Sequence, residues 1–395
     1  VNLETNLQFD SQKIIDHPRW LERWLADPFS VPPIYMEVSP IGLCNHRCTF
    51  CAKEVMGYPN RSIDKERLLA FVVELAELQR EDADGLGVRS LMFAGEGEPT
   101  LYRPLPEIIG MASGCDIESA LTTNATGLTE DFLDKTLHHL SWIKASVNAG
   151  TRETYTRVHQ AKPEHWDIVW RNLARAVELR AQHGYRCEIG CQTVLLVKPT
   201  IDIGGVIVPA NWQEAPALAK KAKSIGLDHV VIKPYGQNPY SQGTLARYGE
   251  MSYGSFLKQF EEMDQELREM SDENFEVVFR WNAILDYEKT EREYEQCLAT
   301  PTSWAYLQSD GMIISCAAHN SNPDFDLGNI TNQTFKEIWW GEARRRHIEF
   351  MKTFDISVCR KNCRMHKTNE ALWPIKATGL IPLRKGPVPK NANFL

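Results

Sequence analysis

Cys44-Asn45-His46-Arg47-Cys48-Thr49-Phe50-Cys51 places three cysteines at C-x3-C-x2-C, just after a strand-like run, Tyr35-Met36-Glu37-Val38. Three thiolates on one short loop suit three irons of a [4Fe–4S] cube. The fourth iron then has no protein ligand and is open to another molecule. The same loop also admits a zinc knuckle or three unrelated core cysteines. A zinc knuckle wants a fourth Cys or His close by and usually pairs its ligands as C-x2-C. His46 stands between two of the cysteines, which places it poorly for joining them on one metal.

Working outward, Ser90-Leu91-Met92-Phe93-Ala94 reads as a buried strand that runs into Gly95-Glu96-Gly97-Glu98-Pro99. Alone, that pentapeptide is a polar turn. Downstream of the cysteine loop, it completes a pair of motifs that resembles the signature of the radical S-adenosylmethionine (SAM) superfamily. In that family the open iron chelates SAM. One electron then cleaves SAM to a 5′-deoxyadenosyl radical that abstracts a substrate hydrogen, while the protein positions the cofactor. The resemblance implies Cys44, Cys48 and Cys51 as cluster ligands and Phe50 as the aromatic beside the adenine. It implies Gly97, Glu98 and Pro99 as the turn that hydrogen-bonds the SAM amino group, with Glu96 where the family has glycine. Leu121-Thr122-Thr123-Asn124 ends a third strand and Lys144-Ala145-Ser146-Val147-Asn148 a fourth. The resemblance implies further SAM contacts at Thr123, Asn124, Ser146, Asn148 and Gln192; Asn148 stands where the family often has aspartate. Strand-end capping chemistry accounts for these strand-end residues equally well.

The chain has 395 residues, 43% of them apolar, which is enough for one large domain plus a smaller one. A net charge of −8 with no basic block argues against a nucleic-acid partner. No apolar run approaches membrane-spanning length, and Val1-Asn2-Leu3-Glu4 does not read as a signal peptide. The expectation is a cytoplasmic protein without membrane partners, whose ten cysteines serve metal ligation rather than disulfides.

Residues 1–34 read as an N-terminal extension with a helix near Asp16–Trp24, its Trp20 and Trp24 one turn apart. From 35 to 285 strand and helix patterns alternate. Strands are predicted at 91–94, 117–122, 142–147, 187–197 and 229–233 after the first. Helices are predicted at 65–80, 104–111, 130–140, 165–183 and 214–225. Six such units imply an α/β fold with a parallel sheet curled into a partial (β/α)6 TIM-like barrel, the fold the resemblance also implies. Function then belongs at the C-terminal ends of the strands, where the motifs lie. Lys233 and Tyr235, on the polar and aromatic loop after the sixth strand, and Arg280 beyond it are candidate substrate contacts. An ordinary connection and a structural ion pair are the alternatives. Cys187 and Cys191 share one strand face. Cys191 is a candidate hydrogen-atom donor, and buried inert cysteine is the alternative.

Residues 286–395 form a second chemical unit. Cys297, Gly311 and Cys316 fall at C-x13-G-x4-C, with a hairpin turn at Ser309-Asp310-Gly311, and Cys359 and Cys363 follow. The spacing resembles the α+β twitch/SPASM extension of radical SAM enzymes, which carries auxiliary iron–sulfur clusters. The full pattern needs about seven cysteines for two clusters. Four remain here, implying one auxiliary [4Fe–4S] cluster on Cys297, Cys316, Cys359 and Cys363. Zinc on the same thiolates is the alternative. His319 and His366 read as surface residues or as neighbours of the ligands. The tail from Trp373 is expected to wrap the domain.

The implied activity is that of a radical SAM oxidoreductase or lyase. Its substrate would be a polar small molecule: a sugar, nucleotide sugar, cyclitol or nucleoside. A flavodoxin or ferredoxin would supply electrons. Dehydrogenation, epimerisation and elimination stay open. A peptide-modifying maturase and a non-catalytic two-cluster electron carrier are the rival readings.

Overall fold

The computed structural model describes residues 12–395 except 203, 250 and 290. Val1-Asn2-Leu3-Glu4, read above as no signal peptide, lies outside the described residues. Seven strands follow one another in space in chain order, all parallel. They are β1 (Tyr35–Val38), β2 (Ser90–Phe93), β3 (Glu118–Thr123), β4 (Leu140–Ser146), β5 (Glu188–Leu195), β6 (His229–Pro234) and β7 (Glu276–Phe279). The six expected strands are the first six of these. β7 extends the run, as a short Val-Val-Phe segment that its polar flanks hide from sequence reading.

The helices between strands bury one face each. In Lys65–Glu81 that face is Leu68, Phe71, Val72 and Leu75, and the Asp64 carboxylate caps the N-terminus by accepting from Arg67 N–H. The outward positions of the strands, Val38, Leu91, Phe93, Leu121, Ile143, Ile189 and Ile232 among them, join these helices in one core. Alternation sends the other set, including Met92, Trp142, Lys144, Gln192 and Lys233, inward to line a cavity. The region between β4 and β5 holds two helices, Arg152–His159 and Glu164–His183, rather than one.

The C-terminal region does not build a separate sheet. β8 (Trp304–Leu307) pairs in parallel with β1, Trp304 opposite Tyr35. The hairpin partner β9 (Met312–Ile314) and β10 (Asp326–Asn329) continue antiparallel, so one ten-stranded sheet runs β10-β9-β8-β1-β2-β3-β4-β5-β6-β7. Gly311, at φ 85°, makes the β8–β9 turn.

Trp20 and Trp24 of the helix Pro18–Ala26 stack at 6.2 Å and are buried. The tail runs beneath the barrel. Lys13 Nζ donates to the carbonyls of Asn391 (3.1 Å) and Phe394 (2.9 Å), and Ser90 Oγ donates to the Asn393 carbonyl at 2.6 Å. The Phe394 ring meets Tyr35 and Trp142 at 5.9 and 5.3 Å. Tyr35 and Ser90 begin their strands, so the tail closes the end of the barrel opposite the cysteine loop.

Candidate active site

The cysteine loop rises from the C-terminal end of β1 and is pinned from two sides. Arg47 and Thr49 N–H groups donate to the carbonyls of His159 (3.1 Å) and Val158 (2.9 Å), at the end of the helix Arg152–His159. On the other side the Gly95–Pro99 turn hydrogen-bonds along the chain before Cys44. Gly97 N–H donates to Ile41 O (3.1 Å) and Glu98 N–H to Leu43 O (2.8 Å). A Cβ at Gly97 would run into the Leu43 carbonyl, so only glycine permits this approach.

The Glu98 carboxylate is taken up inside the protein. It accepts from Thr100 N–H (3.1 Å) and Oγ1 (2.7 Å), Thr123 Oγ1 (2.5 Å) and Asn124 N–H (2.7 Å). Burial pushes this carboxyl up, opposed by those donors. Asn124 Nδ2 then donates to Asn45 Oδ1 at 2.7 Å, tying the end of β3 to the cysteine loop. Glu96, where the family has glycine, has a different task. Its carboxylate accepts from Ser309 Oγ, from Ser309 N–H at 3.3 Å and from Arg61 at 3.2 Å. Arg61 also pairs Asp310 at 2.8 Å. The departure from the motif thus clamps the turn after β2 to the β8–β9 hairpin.

Asn148 takes φ 55°, a left-handed conformation that asparagine tolerates, and its Oδ1 accepts from Val194 N–H at 2.9 Å. Ser146 Oγ accepts from Gln192 Nε2 at 3.0 Å, and Gln192 Oε1 accepts from Lys233 Nζ at 2.8 Å. Phe50, Cys51, Gln192, Lys233, Tyr235 and Arg280 all line the cavity; Cys191 does not. The β5 alternation that turns Gln192 and Val194 inward sends Cys187 and Cys191 into the helix-facing core, 1% and 0% exposed. The expectation of a hydrogen-donating Cys191 is therefore withdrawn.

The cavity has a volume of about 510 Å³ and a cationic wall. Burial pulls Lys144 down to about 8 and Lys233 to about 7; neighbouring cations, Arg280 for both, add to the effect. Lys53, Lys144 and Arg360 escaped sequence reading as site residues. Lys144 had a signal, since period two through Trp142 and Ser146 puts it inside. The other two are delivered by tertiary structure. Glu37, on the inner face of β1, is paired with Arg364.

His46 lies close to Cys48 and His159, the three ligand atoms within 4.8 Å of one another, with no second cysteine in the group. Both rings have other partners. His46 Nε2 lies 2.8 Å from His165 Nδ1, and His159 Nε2 lies 2.7 Å from Val147 O.

Cys297, Cys316, Cys359 and Cys363 come within electrostatic reach of one another. Burial pushes the Cys316 thiol up to about 12 and the Cys44 thiol to about 12. Ionised sulfurs in such surroundings need a cationic partner such as iron. A tetrahedral zinc with ~2.3 Å bonds would hold its sulfurs ~3.8 Å apart. Among the described residues, no group of three or more ligands whose atoms all lie within 4.8 Å of one another contains more than one cysteine. The wider spacing fits a polynuclear cluster better than a single ion. His319 is buried, and its Nε2 lies 3.5 Å from Cys359 Sγ. His366 lies between Asp286 (3.3 Å) and Glu370 (2.9 Å).

The radical SAM superfamily profile matches residues 38–188, and the SPASM profile, an iron–sulfur cluster-binding domain, matches 297–364. The chain is similar to the S-adenosylmethionine-dependent nucleotide dehydratase of Flammeovirga pacifica. That match is 29% identical over 152 residues, 37% of this chain and 49% of that protein. It is also similar to the GTP 3′,8-cyclase of Chlorobaculum tepidum, 30% identical over 136 residues, 34% of this chain and 38% of that one. The matched stretch thus spans half or less of these relatives. In fold the chain is similar to SuiB of Streptococcus suis bound to precursor peptide SuiA. The TM-score is 0.59 at 14% identity, over 90% of this chain and 74% of that one.

Proposed function

The chain belonging to the radical SAM superfamily, with a SPASM domain after the barrel, we propose that it abstracts a hydrogen atom from a phosphorylated small molecule of the nucleotide class bound in the barrel cavity. The observation that carries this reading is the cationic wall. In a protein of net charge −8, Lys144, Lys233 and Arg280 converge on the cavity from β4, β6 and the end of β7. Burial disfavours the charged forms of Lys144 and Lys233, which a bound phosphate would favour. The nucleotide substrates in the names of the two similar curated proteins support the same class.

Each residue then has a task. Cys44, Cys48 and Cys51 hold the cluster that binds SAM, and Phe50 and the Gly97–Pro99 turn flank it. When bound, these groups supply hydrogen-atom abstraction by a SAM-derived radical. Gln192 orients Lys233, whose Nζ donates a hydrogen bond to its Oε1 at 2.8 Å. Arg280 offers a planar donor to phosphate. Tyr235, held through its N–H by Tyr253 Oη at 2.7 Å, shapes the rim. Cys297, Cys316, Cys359 and Cys363 would hold one auxiliary cluster, which would supply electron transfer rather than bind substrate. A flavodoxin or ferredoxin supplies the electron. With Cys191 outside the cavity, dehydrogenation and elimination are the favoured outcomes.

The test is 5′-deoxyadenosine formation by the anaerobically reconstituted, reduced protein. Its panel is 5′-nucleotides, nucleotide sugars, sugar phosphates, their unphosphorylated counterparts and short peptides. Phosphorylated compounds are expected to raise turnover above their counterparts. Stimulation by peptides alone overturns the reading.

A further inference from the structure

Two cationic atoms of the cavity wall are buried and have no hydrogen-bond partner among the described residues: Lys53 Nζ and Arg360 Nε. They arrive from different parts of the fold. Lys53 lies in the short helix Ala52–Met56 that follows Cys51. Arg360 lies between Cys359 and Cys363, in a loop held over the barrel mouth by Asn362 Nδ2 donating to Pro234 O at 2.9 Å. Lys53 Nζ sits 4.8 Å from the centre of the Tyr306 ring. Lys53 follows Cys51 by two residues and Arg360 adjoins Cys359, and both line the same cavity, so each cation reaches it beside one of the two cysteine sets.

A buried ammonium without an acceptor loses the hydrogen bonds that water gave it, and a like charge nearby adds to the cost. Glu96 is the carboxylate that most favours its charge, but that carboxylate is already held by Ser309 and Arg61. Lys53, Arg360, Lys144 and Lys233 line the same cavity, so this pair and the cations deeper in the barrel face one space.

We propose that Lys53 and Arg360 form an oxyanion subsite at the cavity mouth, between the two cysteine sets, which takes a phosphate or carboxylate of the substrate. The inference rests on the cavity being the substrate site, and it does not need the nucleotide class. It gives the substrate an anionic group beside the SPASM domain, apart from any anion held by Lys144, Lys233 and Arg280.

The test is calorimetric titration of inorganic pyrophosphate into the anaerobically reconstituted protein saturated with SAM. Wild type is expected to bind. Lys53→Met and Arg360→Met should each weaken binding about tenfold, as loss of one charge-assisted hydrogen bond does. Lys53→Arg should stay within about threefold of wild type by the same scale, which separates charge from packing. Iron content and SAM affinity should be unchanged in all three. The proposal is overturned if wild type binds no pyrophosphate, or if the Met variants bind it as wild type does. It is overturned too if they lose SAM affinity instead, because the anion is then the carboxylate of SAM. A shift in cluster potential with pyrophosphate affinity intact also overturns it, making the two cations counter-charges to the clusters. If no nucleotide stimulates 5′-deoxyadenosine formation while pyrophosphate binding behaves as expected, the nucleotide reading fails and the subsite stands.

Discussion

Gly97 and Glu96 are neighbours with opposite demands. Gly97 must lack a side chain because the Leu43 carbonyl occupies that space. Gly97→Ala should therefore open the pairing between the turn and Ile41–Leu43 and loosen the cysteine loop. Iron incorporation and SAM affinity of the reconstituted variant should both fall. Glu96, in contrast, needs its whole side chain. Glu96→Ala leaves Ser309 without its acceptor and Arg61 with only Asp310 and Ser309 Oγ. Loss of hydrogen bonds to a buried charged group should lower stability by about 2 kcal/mol, read as a reduced urea midpoint. The turn was legible as a motif, but the reason for its glutamate was not. That reason is Ser309, more than two hundred positions away, and no local pattern encodes such a pairing. Cys191 shows the reverse case. Its strand was legible and its shared face with Cys187 was too, but which face meets the cavity is fixed only once the helices are packed.

At the scale of elements, the helices Trp281–Glu288 and His366–Thr378 are joined by Asp286, His366, Lys367 and Glu370. Burial alone would raise the Asp286 carboxyl, but His366, Lys289 and Lys367 outweigh it and hold the group below the usual carboxylate range. Glu370 is likewise held down. Burial alone would lower His366, but the two carboxylates raise it. The carboxylate contribution is present above the unfolded values, 3.8 and 4.5, and lost as pH falls through the depressed ones. The histidine contribution is complete below 6.5 and lost as pH rises through the raised folded value. Thermal unfolding followed against pH should thus show a shoulder of added stability between about 4.5 and 6.5, reduced in Asp286→Asn, which leaves the Glu370–His366 pair. The tail offers a second test. Phe394, 6% exposed against Tyr35 and Trp142, closes the barrel floor. Phe394→Ala should cost about 3 kcal/mol, measured as a lower denaturant midpoint. The first six strands were legible from apolar runs and turn residues. The helix His366–Thr378 was not, since Pro374 inside it reads as a breaker.

At the scale of the whole molecule, the two cysteine sets are separable in sequence and joined in structure. Cys48→Ala should lower iron by about four per chain and abolish 5′-deoxyadenosine formation. Cys359→Ala should lower iron by a similar amount, spare SAM cleavage and block net oxidation of substrate. Oxidation that persists in Cys359→Ala would remove the electron-accepting role. Both sets were legible because cysteine spacing along the chain mirrors the grip on a cluster. The sheet that unites them was not, because β8 carries no sign that its parallel partner is β1.

That pairing has a consequence for how the chain is made. β1 emerges from the ribosome well before its β8 neighbour, which is synthesised only after the rest of the barrel. Such distant contacts are slow to form, and domains otherwise fold as they emerge. Until β8 docks, the edge of β1 stays open, and Glu96 waits without the Ser309 it will hold. Until the hairpin is made, the edge of β1 is therefore bare and the turn beside the cysteine loop lacks its clamp.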